Sequence, residues 1–289
     1  MTRKQKQQLI EKYEKAARKV VSLYSDLPEV VSVVIGGSLA RGFTDIVSDI
    51  EMYVYYEKSI PSEENIRKIL KKLNAKLIRS KKIHWYHSAW GYHTFFAFNG
   101  IKFELGYRDI HEFFARMQDF KSGLILPKHG IHDTPFGHYE SGVASCISES
   151  KILIDKKGQL QELKDYLSDY SSSHLRDETF QYYIKDAKTI TTMKTKYATM
   201  RNDHYNFNAC VARSIRSLVI CIFALNNRYY PGDKFNGRYI DTFEIKPKNF
   251  KKRMADLFNT SDYKKEDKQN KYNELLKLIK ETEKLYERT

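Results

Sequence analysis

The sequence predicts an α+β fold in which a mixed β-sheet flanked by helices is followed by an α-helical bundle. Short β-branched or alternating apolar runs, separated by glycine-containing turns, lie before residue 110. After residue 158, apolar residues recur at three- and four-residue intervals over long stretches. A loop containing several glycines and prolines separates the two patterns and ends near residue 138. We therefore expect one domain over residues 1–140 and a helical domain over residues 141–289.

The N-terminal domain is expected to begin with a helix and to continue mainly with strands. Apolar residues at helical spacing predict the first helix, and β-branched runs predict the first strands. Asn99-Gly100 is typical of a two-residue type I′ turn, so the alternating runs on either side predict a hairpin. The expected elements are a helix Lys4–Tyr24, strands Val31–Ile35 and Asp49–Tyr56, a helix starting at Pro61, a hairpin of Tyr92–Phe98 and Ile101–Tyr107, and a helix Asp109–Phe120.

The C-terminal domain is expected to contain four long helices. The third of these is the most apolar and should form the centre of the bundle. It ends before Pro231-Gly232, and Lys234 lies in the turn that follows. The expected helices are Leu160–Tyr170, Leu175–Met200, Tyr205–Leu225 and Tyr263–Arg288.

One stretch of the N-terminal domain combines a tight turn with carboxylates. The predicted strand Val31–Ile35 ends at Gly36-Gly37, and Gly37-Ser38 opens a short helix whose backbone could approach phosphate oxygens. Ten residues separate Ser38 from Asp49, which begins the next strand. Because side chains alternate along a strand, Asp49 and Glu51 share one face. Two such carboxylates repel each other unless a cation lies between them, and Mg²⁺ suits hard oxygen ligands. This pattern predicts a magnesium site.

The Gly37-Ser38 turn, the ten-residue spacer and the run Ser48-Asp49-Ile50-Glu51-Met52 resemble the signature of the DNA polymerase β-like nucleotidyltransferase superfamily. Within it, the chain is similar to kanamycin and lincosamide nucleotidyltransferases. The resemblance implies an N-terminal nucleotidyltransferase domain that transfers a nucleoside monophosphate from a nucleoside triphosphate, ATP above all, to an acceptor hydroxyl. It also implies a third carboxylate from a later strand, for which Glu104 is the candidate.

The resemblance assigns the other candidate residues as well. Asp49, Glu51 and Glu104 would be catalytic and would hold Mg²⁺. The nucleotide-binding candidates are Gly37, Ser38, Arg41 and Lys234. In related enzymes an acidic residue of the helical domain accepts the proton of the hydroxyl, and Glu178 and Asp186 are both candidates for this general base. Asp133 and Glu140, in the expected connecting loop, are the next candidates.

The charge of the chain bears on the acceptor. Residues 1–150 contain 22 Lys and Arg against 17 Asp and Glu, and residues 151–289 contain 28 against 19. Such a positive field would repel a polycationic aminoglycoside unless the cleft were acidic. A less cationic small molecule such as a lincosamide, in an antibiotic-resistance role, is the first expectation. An enzyme that modifies RNA or a protein is the alternative, and a non-catalytic nucleotide-binding regulator is the third.

The remaining features suggest an ordinary cytoplasmic protein. No apolar run is expected to reach the roughly 20 residues of a membrane span, and the N-terminus lacks a signal-peptide pattern. Three scattered cysteines indicate buried free thiols rather than a disulfide framework. A homodimer is possible because related enzymes often dimerise. We expect loop or solvent histidines rather than zinc ligands at His84, His87, His93, His129, His132 and His138.

Overall fold

A computed structural model describes residues 2–126, 136–172, 174–232, 236–259 and 264–289. The chain divides into two compact units, Met1–Ser168 and Asp169–Thr289. The expected domain boundary, after residue 140, lies earlier than this division. The reason is that the helices and the strand between residues 140 and 166 belong to the first unit.

The first unit is built on a seven-stranded mixed sheet, so the predicted α+β fold class is confirmed. The strand order is β3-β5-β6-β2-β1-β7, with β4 paired to β5. All neighbouring strands are antiparallel except β2 and β6, which are parallel. The strands are β1 Val30–Ile35, β2 Ile50–Tyr56, β3 Lys76–Leu77, β4 Tyr86–Ser88, β5 Gly91–Phe98, β6 Ile101–Asp109 and β7 Lys151–Asp155.

Helices cover this sheet. The helix α1 starts at a capping box, in which Thr2 and Gln5 bond each other's backbone, and it buries Ala17, Val20 and Tyr24 against the sheet. Ser62 caps α3 through the amide of Asn65, at the predicted start. The helices are α1 Arg3–Tyr24, α2 Gly37–Ala40, α3 Glu63–Lys72, α4 Ile110–Lys121, α5 Glu140–Glu149 and α6 Gln159–Tyr166.

The hairpin of β5 and β6 is confirmed. Phe98 and Ile101 pair across it, and Asn99 and Gly100 both have positive φ, as a type I′ turn requires. The strand β7 was not predicted. It pairs with β1, with Val34 opposite Ile152, and is the last strand of the sheet on that side.

The second unit is helical, as predicted. The expected helix Leu175–Met200 is divided into α7 and α8 by a π-helical segment, Ile190–Thr195. The short helices α10 and α11 were not expected, because their few apolar residues give no long periodic pattern. The helices are α7 His174–Thr189, α8 Lys196–Met200, α9 His204–Leu225, α10 Asn236–Thr242, α11 Phe250–Phe258 and α12 Lys265–Tyr286.

The centre of the second unit is α9, which spans 22 residues. Contrary to the sequence expectation, this helix is long and apolar enough to cross a membrane by length and composition. However, 67% of its most apolar stretch is buried inside the protein. A core helix of a folded bundle gives the same pattern, because its apolar side chains face neighbouring helices rather than lipid.

Candidate active site

The candidate site lies where β1 ends and β2 begins. The backbone amide of Gly36 donates to the Glu51 carbonyl at 2.9 Å, which carries the β1–β2 pairing one residue beyond the strand. A Cβ on Gly36 would lie 2.2 Å from Cε2 of Tyr53, so the tyrosine ring packs directly on the turn. The chain then enters α2 at Gly37.

Gly37 places the turn against the Glu51 carboxylate. Its φ is +56°, a conformation that residues with a Cβ rarely adopt. An ideal Cβ at this position would lie 1.4 Å from Glu51 Oε2 and 3.0 Å from Glu51 Cβ. Only glycine therefore allows the first residue of α2 and the carboxylate to approach this closely.

The sheet register places two of the predicted carboxylates side by side on neighbouring central strands. In the parallel β2–β6 pair, Glu51 lies directly opposite Glu104, and neighbouring strands are about 4.8 Å apart. Asp49 directly precedes β2 and is two residues from Glu51, so the two share a face. Within the described residues, however, no three His, Cys, Asp or Glu side chains are close enough together to form a metal-binding group.

Beside Glu104 lies a histidine whose place in the site sequence reasoning missed. His93 Nδ1 lies 2.9 Å from Glu104 Oε1, and the imidazole is 5% exposed rather than in a loop or in solvent. Its Nε2 lies 3.1 Å from Ser88 Oγ, and its ring stacks on Tyr86 at 4.7 Å. The alternating pattern of β5 could have placed His93 on the inner face, but its pairing with Glu104 depends on the strand register.

The segment before β2 is supported by α1. The hydroxyl of Tyr13 donates to the Ser48 carbonyl at 3.0 Å. Burial, with the negative charges of Asp49 and Asp45, raises the pKa of Tyr13. Tyr13 thus stays a neutral donor at physiological pH and fixes the backbone just before Asp49.

The predicted nucleotide-binding residues lie in different settings. Ser38 is nearly buried, in the first turn of α2. Arg41, at the end of α2, pairs with Glu149 through its Nε at 2.7 Å, and both side chains are mostly buried. Arg41 therefore links α2 to α5 in addition to any role with a nucleotide. Lys234 lies outside the described residues.

Both candidates for the base are in α7 of the second unit. The Asp186 carboxylate pairs with Arg213 at 2.6 Å and Arg216 at 3.4 Å, and accepts a hydrogen bond from Ser217. Burial acts to raise the pKa of Asp186, but these partners outweigh it and the pKa is lowered. Glu178 is 42% exposed and lies 3.6 Å from His174 Nε2. Asp186 is therefore the one of the two that neighbouring arginines hold as an anion.

Of the two further candidates for the base, Glu140 lies in a helix rather than in the expected connecting loop. Glu140 is the first residue of α5 and is buried, with Arg116 Nη2 at 3.0 Å. Burial acts to raise the pKa of Glu140, but His138 and Arg116 outweigh it and lower the pKa to about 2. A buried carboxylate in such a pair is a structural anion and a weak base. Asp133 lies outside the described residues.

A buried cation lies behind the turn. Arg108 of β6 is fully buried, its guanidinium is 3.4 Å from the centre of the Tyr53 ring, and Nη1 donates to the Tyr55 hydroxyl at 2.9 Å. Among the described residues no carboxylate pairs with it. Aromatic faces and neutral acceptors hold this charge instead, because a guanidinium stacks readily on aromatic rings. Arg108 thereby fixes Tyr53, which packs against Gly36.

Residues 138–236 match a family described as a domain of unknown function, DUF4037. The match covers about a third of the chain and says nothing of activity. No curated protein matches the chain. The crystal structure of a nucleotidyltransferase-like protein from Exiguobacterium sibiricum 255-15 is similar, with 11% identity and a TM-score of 0.44 over 92% of this chain and 74% of that one. A likeness this distant does not establish a shared activity.

Proposed function

We propose that this protein is a Mg²⁺-dependent nucleotidyltransferase that transfers a nucleoside monophosphate from a nucleoside triphosphate to an acceptor hydroxyl. The observation that carries the proposal is the register of β2 and β6, which sets Glu51 beside Glu104. Gly37, in the turn that follows β1, packs on the same Glu51. Asp49 adds a third carboxylate on the same face. Three hard oxygen donors beside a glycine turn are a donor set suited to Mg²⁺ and a phosphate chain.

The residues present fit a metal by their chemistry. Asp49, Glu51 and Glu104 would hold Mg²⁺, which when bound supplies charge stabilisation to the transferring phosphoryl group. The structure has Glu104 paired with His93, so metal binding requires the carboxylates to turn towards one another. The Glu51 carboxylate packs against Gly37, which has no Cβ to hinder it.

In the reaction, the acceptor oxygen forms a bond to the α-phosphorus while the bond from that phosphorus to the bridging oxygen breaks. Pyrophosphate leaves with the bond electrons, and the hydroxyl proton passes to a base. Between the two α7 carboxylates, the contacts favour Glu178, because two arginines already hold Asp186. Ser38, at the start of α2, would orient the triphosphate.

For the acceptor, we propose a small molecule of low positive charge, such as a lincosamide antibiotic. The support is the chain's net charge of +14, which disfavours a polycation such as an aminoglycoside. ATP is the first candidate for the co-substrate. These assignments rest on the resemblance and on charge, and the acceptor assay decides them.

The test is incubation of the protein with Mg²⁺, each of the four α-labelled nucleoside triphosphates, and a panel of lincosamides, aminoglycosides and total tRNA. Label on one acceptor with stoichiometric pyrophosphate release is the expected result, and the Asp49→Asn variant is the inactive control. If no acceptor is labelled and calorimetry detects no Mg²⁺-dependent nucleotide binding, the proposed function is wrong. Efficient transfer to kanamycin would overturn only the acceptor class.

A further inference from the structure

A cavity of about 360 Å³ lies in the second unit between the π-helical segment, α8 and the start of α9. Its size is within the range of small-ligand pockets. None of its lining residues belongs to the candidate active site. They are Lys194, Tyr197, Ala198, Arg201, Asp203, Asn206 and Cys210. We call this cavity, together with the exposed residues that neighbour its lining in the chain, the α8 surface; these neighbours are Met193, Lys196, Met200 and Tyr205.

The α8 surface exposes large apolar side chains. Tyr197 is 55% exposed and Tyr205 is 83% exposed, and Met193 and Met200 are also more than half exposed. Such side chains are normally covered in a folded domain, and a cluster of them marks a binding surface. The exposed rings offer flat faces on which another aromatic group can stack.

The π-helical segment helps to set this surface in place. Within it, the Thr195 hydroxyl donates to the Ile190 carbonyl at 3.1 Å, and the buried Thr191 and Ser214 hydroxyls bond each other at 3.0 Å. The six residues Ile190–Thr195 thus depart from the α-helical hydrogen-bond pattern, while the hydroxyls of Thr191 and Thr195 remain hydrogen-bonded. A π-turn shifts the residues that follow around the helix axis, and such turns are frequent at functional sites.

The charge of the surface is positive. From Lys188 to Arg201 the chain has four cationic residues and no acidic one. Lys188 pairs with Glu283, whereas no carboxylate among the described residues pairs with Lys194, Lys196 or Arg201. The Arg201 guanidinium lies 5.9 Å from the Tyr197 ring centre. Cations beside an exposed aromatic ring match a ligand that carries both phosphates and planar bases.

The cavity lining also contains one acidic residue, Asp203, whose carboxylate offsets part of this positive charge. Asp203 caps α9 by accepting from the Asn206 amide, and the Asn206 side-chain nitrogen also donates to it. The Asn206 amide oxygen remains a hydrogen-bond acceptor on a residue that lines the cavity. A ribose 2′-hydroxyl is a donor that such an oxygen can bind, and it is the group that distinguishes RNA from DNA.

We propose that the α8 surface binds single-stranded RNA, with one base stacked on Tyr197 inside the cavity and the adjacent phosphates on Lys194, Lys196 and Arg201. Tyr205 and the two methionines contact the neighbouring bases. The proposal concerns a site in the second unit and does not rest on the proposed transferase activity. Aromatic stacking tolerates any base, so the binding has little sequence preference.

The test is fluorescence anisotropy with a labelled 12-nucleotide single-stranded RNA, in a series of salt concentrations. Tyr197→Ala should weaken binding about fivefold or more, since a stacked base contributes roughly 1–3 kcal/mol. The combined Lys194→Glu, Lys196→Glu, Arg201→Glu variant should weaken binding further. It should also reduce the slope of log affinity against log salt by about 2, at roughly 0.7 per phosphate contact on a single strand.

A matched control separates this site from general attraction to a basic protein. Lys277→Glu, Lys280→Glu, Lys284→Glu on the exposed side of α12 makes the same change of charge in the same unit. This control should change the RNA affinity less than threefold, and thermal unfolding should show that all variants fold. Equal losses in both triple variants would overturn the proposal.

The remaining arms identify the ligand and separate the two proposals. DNA of the same sequence, or polyglutamate, binding as tightly as the RNA would overturn the RNA assignment. Unchanged affinity for Tyr197→Ala would overturn the stacking role. The Asp49→Asn variant should bind RNA like the parent protein, so loss of transferase activity and loss of RNA binding are scored independently.

Discussion

The position that a Cβ on Gly37 would occupy lies 1.4 Å from Glu51 Oε2, inside the volume of the carboxylate. A Gly37→Ala substitution must therefore displace the Glu51 side chain or the turn. We predict that this variant loses about 10² or more in turnover, the loss typical of removing one electrostatic contact to the transition state. Steady-state assays with the acceptor that the labelling experiment selects measure this effect.

Gly42 is the matched control for that substitution. It also has a positive φ, of +71°, but a Cβ there would have nothing within 4 Å. Both alanine variants should lose about 1–2 kcal/mol of stability from the left-handed backbone. Only Gly37→Ala should lose activity, so equal activity losses would show that backbone strain, and not displacement of Glu51, is the cause.

The pairing of Glu51 with Glu104 leads to a second prediction. Glu51→Gln and Glu104→Gln should each weaken Mg²⁺-dependent nucleotide binding at least about tenfold, because a neutral amide is a poorer ligand for a hard cation. Calorimetry with Mg²⁺ and a non-hydrolysable nucleotide is the measurement. Glu57→Gln makes the same change at a partly buried carboxylate that directly follows β2 and pairs with Lys157, and it should bind like the parent protein.

Local sequence patterns predicted the individual elements of this site, but not which elements would lie next to one another. The turn at Gly37 and the alternation of Asp49 and Glu51 follow from adjacent residues. That β6 lies parallel to β2, with Glu104 opposite Glu51, depends on pairing between strands about 50 residues apart in the chain. A sequence pattern does not determine this register. The strand β7 was missed for the same reason.

Buried polar pairs were the other part that the sequence did not predict. His93 fits a strand pattern, but its contact with Glu104 arises only when β5 and β6 pair. Arg108 lies outside the strands expected from the sequence, and in the structure its charge is held between aromatic rings. Asp186 sits on a helix in a pattern that suits a base, and the two arginines that hold it come from α9, a later helix. In each case the deciding neighbour is distant in the chain.

The third prediction separates a proton acceptor from a structural anion. Glu178→Gln should retain nucleotide binding and lose about 10²–10⁴ in turnover, with the deficit shrinking as the pH rises and the acceptor hydroxyl ionises. Asp186→Asn should instead lose about 3 kcal/mol of stability, since the carboxylate charge that pairs with Arg213 and Arg216 would be removed. Turnover per folded molecule should be close to that of the parent. Rate profiles and denaturant unfolding measure the two effects.

The opposite outcome would reassign the base. If Asp186→Asn folded normally and lost turnover while Glu178→Gln remained active, Asp186 would be the base despite its arginine partners. Full activity in both variants would place the base outside α7.

The last prediction concerns the pH dependence of stability and rests on the buried pair of Glu140 and Arg116. The pKa of Glu140 is lowered from 4.5 to about 2 in the folded protein. The stabilisation is therefore complete above pH 4.5, where the carboxylate is ionised in both states. It is lost as the pH falls from there through the folded pKa, because the unfolded chain then binds the proton more readily.

Each pKa unit corresponds to about 1.4 kcal/mol, so the linked stabilisation is about 3 kcal/mol. Denaturant unfolding of the parent and of Glu140→Gln, from pH 6 to pH 2, isolates it, since the other carboxylates titrate alike in both proteins. The parent should be the more stable at pH 6, and the difference should narrow by about 3 kcal/mol at the acid end. A difference that stays constant over this range would mean that Glu140 keeps an ordinary pKa, and that Arg116 stabilises α5 without holding a deprotonated carboxylate.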